Sequence, residues 1–183
     1  MNYDKAAQDL NEIIVRFFSE GKKEFDQTVE LISQAFKFGH KLLLFGNGGS
    51  AAQAQHLTAE LVGRFQKDRP ALPAVALTAE TATITAVAND YSFENIFKRQ
   101  IEALGLPGDV VLGLTTSGKS ANVIEAFKQA RTMKLKTIAL IGKGGQALAP
   151  LVDVLLTVPS DNTPRIQEAH LFILHLLAQE IEK

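Results

Sequence analysis

The spacing of apolar residues divides the chain into a helical N-terminal region and a longer part built on short apolar runs. From residue 4 to about 38, apolar residues recur every three or four positions, and Gly21 interrupts them. This spacing predicts one kinked helix or two helices. The residues that carry it are Leu10, Ile13, Ile14, Phe17, Phe18, Val29, Ile32 and Phe36.

After residue 38 the pattern changes to almost continuous apolar runs, which lie at 41–45, 73–78, 109–115, 136–141 and 153–158. Strands buried on both faces have this composition, and a parallel sheet between two layers of helices contains such strands. Helical patterns separate the runs, at 50–65, at about 79–103 in two pieces and at 120–133. A last helix is expected to begin near Pro164, after Thr163, and to run to the end.

This alternation predicts an α/β fold, a doubly wound five-stranded parallel sheet flanked by helices. We expect one domain over 1–183, with an N-terminal helical region at 1–38. The α/β core then occupies 39–183 and ends in the C-terminal helix.

Composition narrows the class of protein without changing this fold. The 183 residues are 46% hydrophobic and 21% charged, carry a net charge of −1 and include no cysteine. A near-neutral chain lacks the charge excess that binds nucleic acid or an anionic membrane. Without Cys there is no disulfide, thiol nucleophile or Cys-ligated zinc. Since no signal peptide and no apolar run of ~18 residues is present, we expect a cytoplasmic protein.

The loop after the third predicted strand matches the nucleotide-binding P-loop. Residues 113–120 read GLTTSGKS, which fits G-x-x-x-x-G-K-S between an apolar run and a helical pattern. A P-loop protein also needs an Asp at the end of a neighbouring strand to hold Mg²⁺. The other predicted strands end in Phe45, Thr78, Ile141 and Val158. The loop therefore favours a phosphate monoester bound without a metal, with Lys119 at the surface.

The loop after the first predicted strand, GNGGS at 46–50, is also rich in glycine. With the next residue it reads G-x-G-x-x-A, a permissive form of the dinucleotide fingerprint. That fingerprint wants an acidic residue about 20 positions on, whereas the second strand ends in Thr78, 32 residues after Gly46. A tight turn without a ligand is another interpretation. We favour a third, an anion or hydroxyl site at a helix N-terminus.

Two predicted helices carry titratable and amide side chains. His56 and Glu60 are four residues apart and share one helix face, whereas Gln167 and His175 are eight apart and about 80° apart around the last helix. Alone, the first pair is typical of solvated side chains, and His175 among leucines is typical of a core or interface histidine. Together the four offer a donor set for Zn²⁺. Spacing alone does not bring the two helices together.

Four motifs in this order resemble those of the sugar isomerase (SIS) family, namely GNGGSAAQAQHLTAELVGRF from 46, AND at 88–90, TTSGKSANV from 115 and RIQEAHLFILH from 165. Within it, the chain is similar to the bacterial phosphoheptose (sedoheptulose-7-phosphate) isomerases over nearly its whole length. Some members have Asp where Gln53 stands and an acidic residue where Pro164 stands.

The resemblance implies conversion of sedoheptulose 7-phosphate into D-glycero-D-manno-heptose 7-phosphate, the first step towards ADP-heptose precursors of lipopolysaccharide. It also implies a homotetramer with active sites at subunit interfaces. The implied ligands of one Zn²⁺ per subunit are His56, Glu60, Gln167 and His175. The implied phosphate site comprises Thr115, Thr116, Ser117, Ser120 and Ser50. The implied sugar contacts are Asn47, Gly48, Gly49, Glu60, Arg64, Asn89, Asp90 and Gln167.

A ketose–aldose interconversion needs a carbon base, a proton shuttle and stabilisation of an oxyanion. We expect Glu60 to be the base, His175 its acid/base partner, and Zn²⁺ the Lewis acid. Because a carboxylate bound tightly to zinc is a weaker base, Glu60 is expected to bind the metal loosely or to leave it. His40 and His170 are interpreted as structural, since His170 lies about 140° from His175 around one helix.

The alternative is a non-catalytic SIS-domain protein that binds a phosphosugar or the replication initiator. A pure binding scaffold has no chemical need for the set of His56, Glu60, Gln167 and His175. Their presence together favours the enzyme.

Overall fold

Five parallel strands form one sheet in the structure, a computed structural model that describes residues 3–183. The strands are β1 (Leu42–Gly46), β2 (Ala74–Ala76), β3 (Val110–Thr115), β4 (Lys136–Gly142) and β5 (Val154–Val158). The helices are α1 (Tyr3–Lys37), α2 (Gly49–Val62), α3 (Thr81–Asp90), α4 (Ile96–Leu104), α5 (Ala121–Thr132) and α6 (Thr163–Ile181). No helix within residues 3–183 is both long enough and apolar enough to cross a membrane.

The strand order is β2-β1-β3-β4-β5, so the chain winds outwards in both directions from the neighbouring strands β1 and β3. Alternate residues of each strand enter opposite cores. Leu42 and Leu44 pack with α1, α2 and α6, whereas Leu43 and Phe45 pack with α4 and α5 on the other face. Burial on both faces explains the continuous apolar runs, and the predicted doubly wound parallel sheet is confirmed.

The predicted elements agree with the structure in type and differ at their ends. Helix α1 has a non-helical backbone at Gly21, as one kinked helix requires. Helix α6 begins at Thr163 with Asn162 as its N-cap, one residue earlier than predicted, so Pro164 takes the second helical position. The 3₁₀ segment Lys143–Leu151 was not predicted, because two glycines and a proline obscure any periodicity there.

His170 is completely buried on α6, in agreement with its structural interpretation. Neither ring nitrogen makes a hydrogen bond of good geometry among the described residues, and the backbone of Ile141 offers only a weak contact. Burial lowers the pKa of His170 to about 4, and the backbone of Ile141 opposes this shift only in part. The ring is therefore neutral at physiological pH.

This buried ring should make folding sensitive to mild acid. The pKa of His170 lies below its unfolded value of 6.5, so its contribution to stability is complete above pH 6.5 and is lost as the pH falls towards 4. We expect that loss to reach about 3 kcal/mol. Urea unfolding of wild type and His170→Leu from pH 7.5 to 4.5 measures it. The variant should show a shallower pH dependence, and an unchanged dependence would contradict the prediction.

Candidate functional site

The candidate site lies at the carboxyl edge of the sheet, where β1 and β3 are neighbours and Gly46 pairs with Leu114. The helix that follows β1, α2, packs on one face of the sheet, and the helix that follows β3, α5, packs on the other. Their divergence leaves a crevice above the two strand ends, the usual ligand position in a doubly wound sheet.

A small cavity of about 90 Å³ occupies this crevice. Its lining combines the two strand-end loops with a side chain from α6, and comprises Asn47, Ser50, Leu114, Thr115, Thr116, Ser117, Ser120 and Gln167. The structure therefore brings together all five residues of the predicted phosphate site and two of the predicted sugar contacts.

The loop from Thr115 to Ser120 is arranged to hold an anion. Gly118 has φ +67°, and a Cβ there would lie 2.4 Å from the Cα of Gly145. The N–H of Gly118 donates to the hydroxyl of Thr115 at 3.2 Å, and the N–H of Lys119 donates to that of Ser117 at 3.2 Å. Both hydroxyls keep their own protons for donation. Helix α5 begins immediately afterwards with no acidic residue in its first turn, which leaves its N-terminus favourable for a phosphate.

The requirements of a nucleotide P-loop are not met within residues 3–183. The strands end in Gly46, Ala76, Thr115, Gly142 and Val158, so none presents the carboxylate that would hold Mg²⁺. Lys119 is exposed and lies outside this cavity, although it lines a neighbouring one with Thr116 and Ser117. Both features agree with the sequence interpretation of this loop.

The first turn of α2 lies directly against α6. A Cβ on Gly49 would lie 2.5 Å from Nε2 of Gln167, so a larger residue there would displace the end of that side chain. Gln53 donates from its Nε2 to the backbone carbonyl of Gln167 at 2.6 Å. Asn47 and Asn122 exchange two amide hydrogen bonds of 2.8 Å. The sequence analysis did not assign Gln53 and Asn122 to the site, although Gln53 shares the helix face of His56.

About two turns further along, the structure brings His56, Glu60 and His175 together. The Nε2 atoms of the two histidines are 2.8 Å apart, and Oε1 of Glu60 is 3.5 Å from Nε2 of His56. One potential ligand atom from each residue lies within 4.8 Å of the others. The ring of Phe65, which the sequence analysis missed, stacks on His175 with centroids 5.5 Å apart and planes at 24°.

These donors fit a divalent ion such as Zn²⁺. Two imidazole nitrogens and one carboxylate oxygen are a common zinc set, and two ligands of a tetrahedral zinc lie roughly 3.3 Å apart. The observed separations of 2.8 and 3.5 Å bracket that value. Because His56 and His175 both aim Nε2 at one small volume, at most one of them carries a proton there.

The other predicted site residues lie apart from this trio. Gln167, the predicted fourth ligand, lines the small cavity, and its backbone is about 12 Å from that of His175 along α6. Arg64 is exposed just beyond α2. Asn89 and Asp90 are exposed at the end of α3 and hydrogen-bond to each other at 2.8 Å. Gly48 is exposed with φ +56°. Their roles in binding remain predictions.

The cavity and the trio lie along the same two helices. Ser50 and His56 are about 9 Å apart along α2, at 1.5 Å per residue. An extended seven-carbon chain with a terminal phosphate spans about 10 Å from phosphorus to C1 at ordinary bond lengths. A ligand of that size held by phosphate in the cavity would present its other end to His56, Glu60 and His175.

Comparison with known proteins places these features in one family. A sequence model of the SIS domain matches residues 6–142. The phosphoheptose isomerase of Geotalea daltonii is 57% identical over 155 residues, which are 85% of this chain and 81% of that protein. The phosphoheptose isomerase structure from Francisella tularensis has a TM-score of 0.91 at 37% identity and covers 98% of this chain and 96% of that one. The one from Neisseria gonorrhoeae has a TM-score of 0.86 at 42% identity, with 98% of both chains covered.

The loop geometry predicts that hydroxyls and not Lys119 bind the phosphate. Ser117→Ala and Ser120→Ala should each raise KM for a phosphorylated sugar about tenfold or more, since a hydrogen bond to a charged group is worth about 1.5–3 kcal/mol. Lys119→Ala, the matched control in the same loop, should change KM less than about threefold. Steady-state kinetics of the three variants decides between them. The reverse ranking would show that Lys119 carries the phosphate.

Proposed function

The chain belongs to the SIS-domain family of phosphoheptose isomerases, and we propose that it interconverts sedoheptulose 7-phosphate and D-glycero-D-manno-heptose 7-phosphate. The family assignment read from four sequence motifs is thereby confirmed, and with it the class of aldose–ketose isomerase. One observation carries the proposal for this substrate. A phosphate cavity and a set of acid/base side chains lie on the same two helices, at a separation that suits a seven-carbon sugar phosphate.

Binding begins at the phosphate. The hydroxyls of the Thr115–Ser120 loop and the N-terminus of α5 hold the phosphate group. The sugar chain then lies along α2 and α6, where Asn47 and Gln167 are placed to donate hydrogen bonds to its hydroxyls. Because the phosphate is remote from the reacting carbons, its binding energy serves to position C1 and C2.

Proton transfer at C1 and C2 is assigned to Glu60 and His175. Glu60 removes a proton from C1 of the ketose while His175 gives a proton to the oxygen on C2, which produces an enediol. Glu60 then returns its proton to C2, and His175 takes the proton of the C1 hydroxyl, which completes the aldose. No atom is gained or lost, and both side chains end in their starting states.

We propose that His56, Glu60 and His175 hold a Zn²⁺, with Gln167 as the expected further ligand and with Glu60 bound loosely or released when it acts as the base. When bound, it supplies Lewis-acid polarisation of the sugar oxygens. The chain's own contribution is the pair of imidazole nitrogens aimed at one point, with a carboxylate oxygen beside them.

We also propose a cytoplasmic homotetramer that supplies heptose for surface glycans such as lipopolysaccharide. Asn89 and Asp90 lie outside the site of their own chain, which suits sites completed by a neighbouring subunit. The alternative of a non-catalytic scaffold has no support from the curated relatives, which are named phosphoheptose isomerases.

The central test is turnover of sedoheptulose 7-phosphate by the purified protein with zinc supplied. We expect the aldose to accumulate, and we expect Glu60→Gln and His175→Gln each to lower kcat/KM by about 10²–10⁴. Glu125→Gln, an exposed acid on α5 paired with Lys128, is the control and should stay near wild type. Absence of turnover by the wild type would refute the function, and near-normal turnover by either site variant would refute its assigned role.

The metal proposal has a separate test. Metal analysis should find one zinc per subunit, and His56→Ala should abolish that stoichiometric zinc without changing the helical content seen by circular dichroism. Chelation should remove activity and added Zn²⁺ should restore it. Full activity of the metal-free protein, or undiminished zinc in His56→Ala, would contradict the assignment.

A further inference from the structure

A buried carboxylate joins the far ends of the two helices that carry the candidate site. Glu182 follows α6, and its side chain is only 1% exposed. It accepts backbone N–H bonds from Phe65 at 2.8 Å, Gln66 at 2.9 Å and Lys67 at 3.0 Å, all in the loop after α2. Nε of Arg69 lies 3.2 Å from the same carboxylate. Three consecutive N–H groups on one carboxylate form an anion-binding nest.

The charge on Glu182 is stable through the neutral range. Burial alone would raise the pKa of this carboxyl, but the three N–H groups and Arg69 outweigh burial and lower its pKa to about 2. The contribution of this contact to stability is therefore complete above the usual value of 4.5 and is lost only between pH 4.5 and 2. The contact does not switch at any pH where the enzyme would be assayed.

Arg69 links the Glu182 carboxylate to the C-terminal end of α2. Its guanidinium donates to the carbonyl of Leu61 at 2.8 Å and to the carbonyl of Glu60, a candidate catalytic residue, also at 2.8 Å. These are among the last carbonyls of the helix, which lack partners within it. Arg69 thus caps the C-terminus of α2 while pairing with Glu182 beyond α6.

Phe65 connects Glu182 to His175. Its N–H is held by Glu182, and its ring stacks on the imidazole of His175. Glu182 lies seven residues after His175, which places the two within about 20° of each other around the axis of α6 and about 10 Å apart along it. Phe65 therefore bridges two positions on one stripe of the helix.

We propose that Glu182 is a positioning residue for His175, acting through Phe65, and that Arg69 couples the same contact to the end of α2 that bears Glu60. Glu182 touches neither the trio nor the phosphate cavity, so its effect should fall on the chemical step and not on phosphate binding. The inference deepens the proposed isomerase function and rests on it for its kinetic readout.

The first experiment compares Glu182→Gln with a matched control. Gln has the same shape, but it loses the charge and turns an N–H donor towards the backbone N–H groups. We expect kcat to fall about tenfold to a hundredfold with KM changed less than about twofold. The control is Asp109→Asn, because Asp109 is equally buried and accepts N–H bonds from Lys41 and Leu106 at the opposite edge of the sheet. It should lower the unfolding midpoint while kcat stays within about threefold.

The second experiment begins with a measurement that needs no substrate. The four histidines allow the ring protons of His175 to be assigned by comparison with His175→Gln, and the stacked Phe65 ring should shift them upfield. Glu182→Gln should reduce that shift and Asp109→Asn should not. Phe65→Leu should abolish it and lower kcat, and adding Glu182→Gln to Phe65→Leu should lower kcat by a smaller factor than Glu182→Gln does in the wild type, since the two residues share the path to His175.

The outcomes separate the two proposals. If the wild type is active and Glu182→Gln leaves either kcat or the His175 shift unchanged, the positioning role is wrong. An equal loss of kcat in Asp109→Asn overturns it too, because the effect is then one of general stability. If the wild type fails to turn over sedoheptulose 7-phosphate, the proposed function falls, and the His175 shift alone decides whether Glu182 sets the position of that ring.

Discussion

The parallel alignment of α2 and α6 is the constraint on which the candidate site depends. At the start of α2, Gly49 lies against Gln167, and at the far ends Arg69 meets Glu182. Parallel helices rise at the same rate, so contacts at both ends fix which residues face each other between them. His56 and His175 lie in that interval. A register shift of one residue in either helix would place each side chain 1.5 Å further along the axis and 100° further around it. His56 and His175 would then separate.

The phosphate loop shows how one sequence pattern serves two kinds of site. A strand, a glycine with positive φ and a helix N-terminus together favour an anion such as phosphate, and Val110–Thr115, Gly118 and α5 supply them. A nucleotide site needs in addition a strand-end carboxylate for Mg²⁺ and a lysine directed at the outer phosphates. Here the strand ends lack the carboxylate and Lys119 is exposed. The class of ligand that such a loop favours therefore depends on the residues around it, and not on the eight-residue pattern alone.

Much of the fold could be predicted because its signals are local. A strand buried on both faces is apolar at nearly every position, so Val110–Thr115 stands out in the sequence whatever surrounds it. The pairing of His56 with His175 could not be derived from spacing, because it depends on how α2 and α6 lie across 119 residues of chain. The role of Glu182 could not be predicted from the local sequence, since a glutamate near the end of a helix is common. The family resemblance supplied the site residues that local patterns could not.

A signal for the missed residues does exist once the two helices are considered together. Four residues of α2 fall within an arc of about 60° around its axis, namely Gly49, Gln53, His56 and Glu60. On α6, Gln167 and His175 span an arc of about 80°, and Glu182, just beyond the helix, falls within the same arc. These two stripes border the apolar faces that hold each helix against the sheet, so the hydrophobic core sets the rotation of both helices. Once the core fixes that rotation, the two stripes must face each other. The chemistry of the site is thus a consequence of the same burial that forms the fold.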